Sequence, residues 1–479
     1  MKRIKVGILS FALLLTGVQN SQADLKFSDC LLDASTRQMV SLGKPLPLER
    51  LGNKSKIKIG VLPFYFKDQS VKTLTEVEKS DYLEASSIIR QLSNQKIEIE
   101  VTFLPSFGLE LTTSDFGEIV SNQHYGYQSK DLGRSTWGFV KQTINSASSI
   151  LNFSNLDSLI LEGGFAGRTS FGGEAMQFFR GSKGNVYESA SDEFYSSIPI
   201  RDGYIDNAIL FDSHKGAYVV AHELLHNFGL TDLYGTRSGP GDFSIMAGGS
   251  NKLLNYEKAV LGWFPNEYFK CFEYKNVVDE SKVENRLVIN NIRQDSILLL
   301  KKSNQESYII EIVNSGKKQQ LLLYLLEQEK RPPVSLSFSS DLSYPGVFDL
   351  ANPKVIGSIY KTSDFDLLIS NVEDNNVELV IVPKNLVITE VALNLHKQSE
   401  INRDNAIIKF AAEELKAKQE LEIKLATENA EAKKKAKQET EVKLPKLKTI
   451  ICTKGKIEKK ITSSKPLCPS GYQKKLKSK

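Results

Sequence analysis

Ala221-His222-Glu223-Leu224-Leu225-His226-Asn227-Phe228-Gly229-Leu230-Thr231-Asp232 is the stretch around which the chain is organised. Histidines four residues apart on a helix share a face, one turn above the other, so both imidazoles reach one metal ion. Glu223, directly after the first histidine, stands beside such an ion without having to bind it, and can take a proton from water. Ala217 to Val220 leads into the pair as an apolar run, which suits a buried helix. Gly229 offers the left-handed turn that ends a helix. The chain can then double back and bring Asp232 to the ion as a third ligand, and a carboxylate is a normal zinc ligand.

Farther on, Gly241-Asp242-Phe243-Ser244-Ile245-Met246-Ala247-Gly248-Gly249 reads as a glycine-flanked turn carrying one of only four methionines. Met246 there suggests an apolar floor beneath the ion. H-E-x-x-H is the arrangement of zinc peptidases, and the longer metzincin pattern adds a third ligand at the position of Asp232. Three segments together resemble the immune inhibitor A family of secreted bacterial metallopeptidases. They are His222 to Tyr234, Ser244 to Gly249, and Asn255 to Pro265 with its Glu257-Lys258 and Leu261-Gly262-Trp263. The resemblance covers roughly residues 200–266 and is diffuse from about 55. It departs from the family at Thr231, where a proline is common. It implies a zinc-dependent endopeptidase with a metzincin-like catalytic domain.

The expected chemistry is peptide hydrolysis. His222, His226 and Asp232 hold Zn2+, one coordination position stays open for water, and Glu223 is the catalytic base. Glu257 is the rival third ligand, as in enzymes that draw it from a later helix. His124, His214 and His396 lack ligand spacing. Two other classes stand beside this reading: a catalytically inactive cell-surface binding protein with a metallopeptidase-like domain, and a zinc hydrolase acting on non-peptide bonds.

Lys2, Arg3 and Lys5 followed by apolar Val6 to Val18 and Ser21-Gln22-Ala23 read as a signal peptide over residues 1–23. The apolar run is too short to span a bilayer. The expectation is a secreted, extracellular or surface-associated protein without an integral membrane segment. Net charge is only +5 over 479 residues, so nucleic acid is not an expected partner; a protein or peptide substrate is. Four cysteines in an exported chain favour disulfides. Proximity pairs Cys452 with Cys468, leaving Cys30 with Cys271; the alternative sends Cys30 to the zinc.

Composition divides the rest. Residues 24–54 are a mixed lead-in, and 55–268 the catalytic domain of an α+β fold. Within it the expected elements are a strand over Ile57–Phe66, a helix over Asp81–Leu92 capped by Asp81, a strand over Lys96–Leu104, a helix over Ser135–Leu151 and a strand over Leu156–Glu162. Gly163 to Gly173 reads as a glycine-rich loop near the cleft, leading from an edge strand able to bind substrate by strand addition. Short apolar runs over 269–398 suggest a β-sandwich domain. Residues 399–444 are a charged helical spacer with Glu414–Lys418 at favourable i,i+4 spacing. Residues 445–479 are a small disulfide-bonded basic C-terminal module, able to meet an anionic cell-surface polymer.

Overall fold

The computed structural model describes residues 25–35, 40–121, 135–164, 173–180, 195–234, 240–248, 250–278, 285–290, 295–315, 318–330, 333–336, 347–350, 355–373, 376–383, 390–442 and 446–475. The expected signal peptide, His124 and most of the Gly163–Gly173 loop lie outside them.

The strand read from Ile57 onward is β1 (Lys56–Phe66), followed by α1 (Glu76–Leu92), β2 (Glu98–Phe103), β3 (Phe107–Leu109), α2 (Thr113–Ser121), α3 (Thr136–Ser148), β4 (Ser158–Glu162) and β5 (Glu174–Gln177). A small hairpin, β6 (Ile198–Ile200) and β7 (Gly203–Ile205), leads into β8 (Asn207–Phe211) and α4 (Ala217–Phe228). The order β2-β1-β4-β8 is parallel, and β5 closes one edge antiparallel to β8. Strands buried on both faces carry near-continuous apolar runs, and successive side chains here go to opposite cores. Ile57, Ile59, Val61, Ile160 and Ile209 pack with α1 and α4. Leu62, Phe64, Leu159, Leu161 and Leu210 pack with α3 on the other face.

Two expectations are corrected. Helix α1 begins at Glu76, because Thr75 and Glu78 form a reciprocal capping box that satisfies the first N–H groups. Asp81 is therefore inside the helix. The glycine-rich loop leaves β4, an interior strand, and enters the edge strand β5.

Beyond α5 (Asn255–Val260), β9 (Phe269–Glu273) lies parallel to β11 (Ser296–Lys301), which pairs antiparallel with β12 (Glu306–Ser315). Next come β13 (Lys318–Glu327), β14 (Val334–Leu336) and β15 (Val347–Asp349). A second antiparallel sheet runs β10 (Asn285–Asn290), β18 (Asn376–Pro383), β17 (Phe365–Glu373), β16 (Ile359–Lys361). Leu298, Ile310 and Leu323 of the first meet Leu367, Leu379 and Ile381 of the second in one apolar cluster. The opposite face of the first, through Ile297, Leu299, Ile309 and Leu322, joins the core under α4. Apolar packing is thus continuous across residue 268, and Cys30 bonds to Cys271 across the same junction. The pairing leaves no Cys30 thiol for a metal.

Helix α6 spans Glu390–Val442, and its described side chains from Lys409 to Ala432 are solvent-exposed. Glu414 and Lys418 pair at 2.8 Å. Residues 446–475 form a three-stranded sheet of β19 (Lys448–Lys454), β20 (Ile457–Ser463) and β21 (Gln473–Lys474), stapled by Cys452–Cys468. The fold is mixed α and β with two disulfides. Among the described residues no helix is long and apolar enough to cross a membrane.

Candidate metal centre

Helix α4 ends as its sequence requires. Gly229 adopts φ +118°, and the amides of Gly229 and Leu230 close back on His226 O at 2.9 Å and Leu225 O at 3.1 Å. This is the Schellman turn. It aims the Leu230 carbonyl at His226 Nδ1, 2.8 Å away. It also returns the chain so that Asp232 Oδ1 lies 3.2 Å from His222 Nε2 and 3.1 Å from His226 Nε2.

The hydrogen bonds define the tautomers. A carbonyl only accepts, so His226 Nδ1–H donates to Leu230 and His222 Nδ1–H donates to Ile245 O at 2.9 Å. In neutral rings both Nε2 atoms are then bare lone pairs. They face Asp232 Oδ1, itself buried and without a hydrogen bond of acceptable geometry. Three electron-rich atoms converging at this distance need a cation between them. Ligands about 2.0–2.1 Å from a tetrahedral ion stand roughly 3.3 Å apart, close to the separations found. The donor set of two imidazoles and one carboxylate fits a catalytic zinc site that keeps a position for water. Burial would lower the His226 pKa, but the Asp232 carboxylate overrides burial and lifts it to about 9. Burial raises the Asp232 carboxyl, but the neighbouring His222 and His226 rings outweigh it and hold the group below the usual carboxylate range.

Glu223 occupies the next position on α4, and its Oε2 accepts the Ala175 N–H of the edge strand at 3.0 Å. Gly173 lets that strand approach: a Cβ there would stand 2.6 Å from the Phe211 ring and 3.1 Å from Glu223 Cγ. Met246 is fully buried in a turn capped by Ser244, whose Oγ accepts the Met246 N–H at 3.0 Å. Tyr234 stacks on the His222 ring at 5.9 Å. Beside His222 opens a cleft of about 570 Å³, lined by Tyr218, Val219, Tyr234 and Ile245 among others.

Glu257 does not join this group. It is wholly buried in the first turn of α5, where it accepts from Ser244 Oγ at 3.0 Å and Leu254 N at 2.7 Å. Of the remaining histidines, His214 is bound to Asp81, and the side chain of His396 lies outside the described residues. The Ile245 carbonyl, the Ala175 amide and the Tyr234 ring went unread in the sequence. The first two are backbone groups that leave no residue-type signature.

No family model matches the chain, and no curated protein matches it. Among solved structures, a crystal structure of A. aeolicus Argonaute aligns with 78% of this chain at 12% identity and a TM-score of 0.15. The chain spans about half of that protein, 48%. A likeness this slight bears on neither fold nor function.

Proposed function

We propose that the chain is an exported zinc-dependent endopeptidase with a metzincin-like centre, as its resemblance to the immune inhibitor A family implies. The observation carrying this reading is the convergence of His222 Nε2, His226 Nε2 and the orphaned Asp232 Oδ1, with the Glu223 carboxylate alongside. His222, His226 and Asp232 would hold the ion. Zinc, when bound, supplies a Lewis acid that acidifies water and polarises a carbonyl.

Glu223 accepts the proton of the attacking water and passes it to the leaving amine. The Ala175 amide fixes one Glu223 oxygen and leaves the other for that proton. An extended peptide fits as a further strand beside β5, held by main-chain hydrogen bonds. The cleft at Tyr218 and Tyr234 then receives a side chain. The β-rich region is read as a sandwich supporting the centre. The two disulfides suit export to an oxidising compartment. The lysines of residues 446–475 suit an anionic cell-surface polymer.

The test is cleavage of casein and of a peptide library by the purified chain, with metal content measured in parallel. Chelation should abolish cleavage, and zinc should restore it. Glu223→Ala should retain zinc and lose roughly 10²–10⁴-fold in rate, the usual worth of a general base. A purified chain without zinc, or a Glu223→Ala variant that digests like wild type, defeats the proposal.

A further inference from the structure

A second group of ligand-type side chains lies at the carboxyl ends of β4 and β8, where open parallel sheets gather functional groups. Oxygens of Glu78 and Glu162 and a ring nitrogen of His214 all lie within 4.8 Å of one another. Each side chain is pinned by its other polar atom. Glu78 Oε2 accepts the Thr75 N–H at 2.6 Å, Glu162 Oε2 accepts from Tyr82 OH, and His214 Nε2 is bonded to Asp81 Oδ2 at 2.7 Å. Asp81 Oδ2 accepts the hydrogen bond from His214 Nε2–H, which leaves Nδ1 as the lone-pair nitrogen of the ring. A carboxylate orienting a histidine in this way is the usual outer support of a metal-binding imidazole.

Two of the inward atoms lack hydrogen-bond partners. Glu162 Oε1 and His214 Nδ1 are both buried without a hydrogen bond, and the Glu162 side chain is wholly enclosed. They face each other at 3.9 Å, too far for a hydrogen bond. The charges do not balance. Glu78 and Glu162 share one ammonium, Lys72 Nζ, which is bonded to Glu78 Oε1 and lies 4.0 Å from Glu162 Oε1.

We propose that Glu78, Glu162 and His214 form a second divalent-cation site, distinct from the His222 centre, in which the ion displaces the Lys72 ammonium. Two carboxylates and one imidazole suit a first-row ion such as Mn2+ or Zn2+. The site does not depend on the peptidase reading, since no residue is shared.

Zinc stoichiometry of the purified full chain, after dialysis against excess Zn2+, tests it. Wild type should hold two ions, and His222→Ala/His226→Ala one. Adding Glu162→Gln to the double variant should leave none. Glu162→Gln alone should keep one, which also reports a folded chain; if its near-UV circular dichroism collapses, His214→Gln replaces it. Lys72→Met should tighten the second site at least tenfold, read by competition with a chelator, and Mn2+ should occupy the site with loss of its free six-line EPR signal. A His222→Ala/His226→Ala chain that binds no ion, or binds equally well with Glu162→Gln or His214→Gln added, overturns the proposal. Failure of the first centre alone would read differently: one ion in wild type, and still one after His222→Ala/His226→Ala.

Discussion

Ser244 Oγ donates a 3.0 Å hydrogen bond to Glu257 Oε1, tying the methionine turn to the first turn of α5. The same turn offers Ile245 O to His222 Nδ1. Glu257 therefore reaches the His222 group at one remove, by holding the turn whose Ile245 carbonyl accepts from His222 Nδ1. Behind it, Glu311 of β12 accepts the Asn255 and Tyr256 amides, both at 2.9 Å, and so caps α5 from the neighbouring sheet.

Asp232→Ala and Glu257→Ala should separate a ligand from a support. Loss of Asp232 should weaken zinc by more than about 100-fold. Loss of Glu257 should stay within the ~10–100-fold typical of outer-shell residues while lowering the melting temperature. Competition against a chelating dye measures both; the reverse ranking would make Glu257 the ligand.

Stability should fall with rising pH through the Glu257–Glu311 pair. Burial is the main cause lifting Glu257 to about 8 and Glu311 to about 7, from an ordinary 4.5. Between pH 4.5 and 8 the native state then binds more protons than the unfolded chain, so stability is full below the unfolded value and lost as pH rises. Urea midpoints at pH 5, 6.5 and 8 should show wild type losing ground to Glu257→Gln at each step. A difference that stays constant or grows in favour of wild type contradicts this assignment.

Gly173→Ala should damage catalysis more than folding. The new methyl presses on the buried Phe211 ring and on Glu223. Overpacking of this kind costs about 1–3 kcal/mol, whereas displacing the base should show chiefly in kcat with KM little changed. Steady-state kinetics beside a thermal melt would distinguish this from general unfolding, in which kcat falls only in step with the folded fraction.

Removing the Cys30–Cys271 bridge, whose ends lie 241 residues apart in sequence, should destabilise the protein by about 2–5 kcal/mol. Cys30→Ser/Cys271→Ser, compared by denaturant unfolding, should retain one ion at the His222 centre because neither cysteine is among the side chains that converge there. Loss of that zinc at temperatures where the fold persists would show that the bridge does more than restrict the unfolded chain.

Local features were legible from residue order alone. Helix α4, its end at Gly229 and the return of Asp232 all follow from short-range rules, and Cys452–Cys468 is close in sequence. The start of α1 is also written locally, in the capping box of Thr75 and Glu78. Strand β13 was harder. Gln320-Leu321-Leu322-Leu323-Tyr324-Leu325-Leu326 lacks alternation because Leu321 and Leu323 enter one core while Leu322, Tyr324 and Leu326 enter another. A strand buried on both faces carries no period to read.

Residue order by itself marked His222, Glu223, His226 and Asp232 as one constellation and Cys452–Cys468 as a pair, because i,i+4 spacing, a left-handed glycine and short sequence separation are constraints on neighbours. Tertiary structure alone decided that Glu257 braces a turn, that Ala175 steadies Glu223, and that Glu78, Glu162 and His214 meet. Those contacts join segments tens of residues apart through backbone groups and buried carboxyls, and only the packing of sheet against helix brings them within bonding distance.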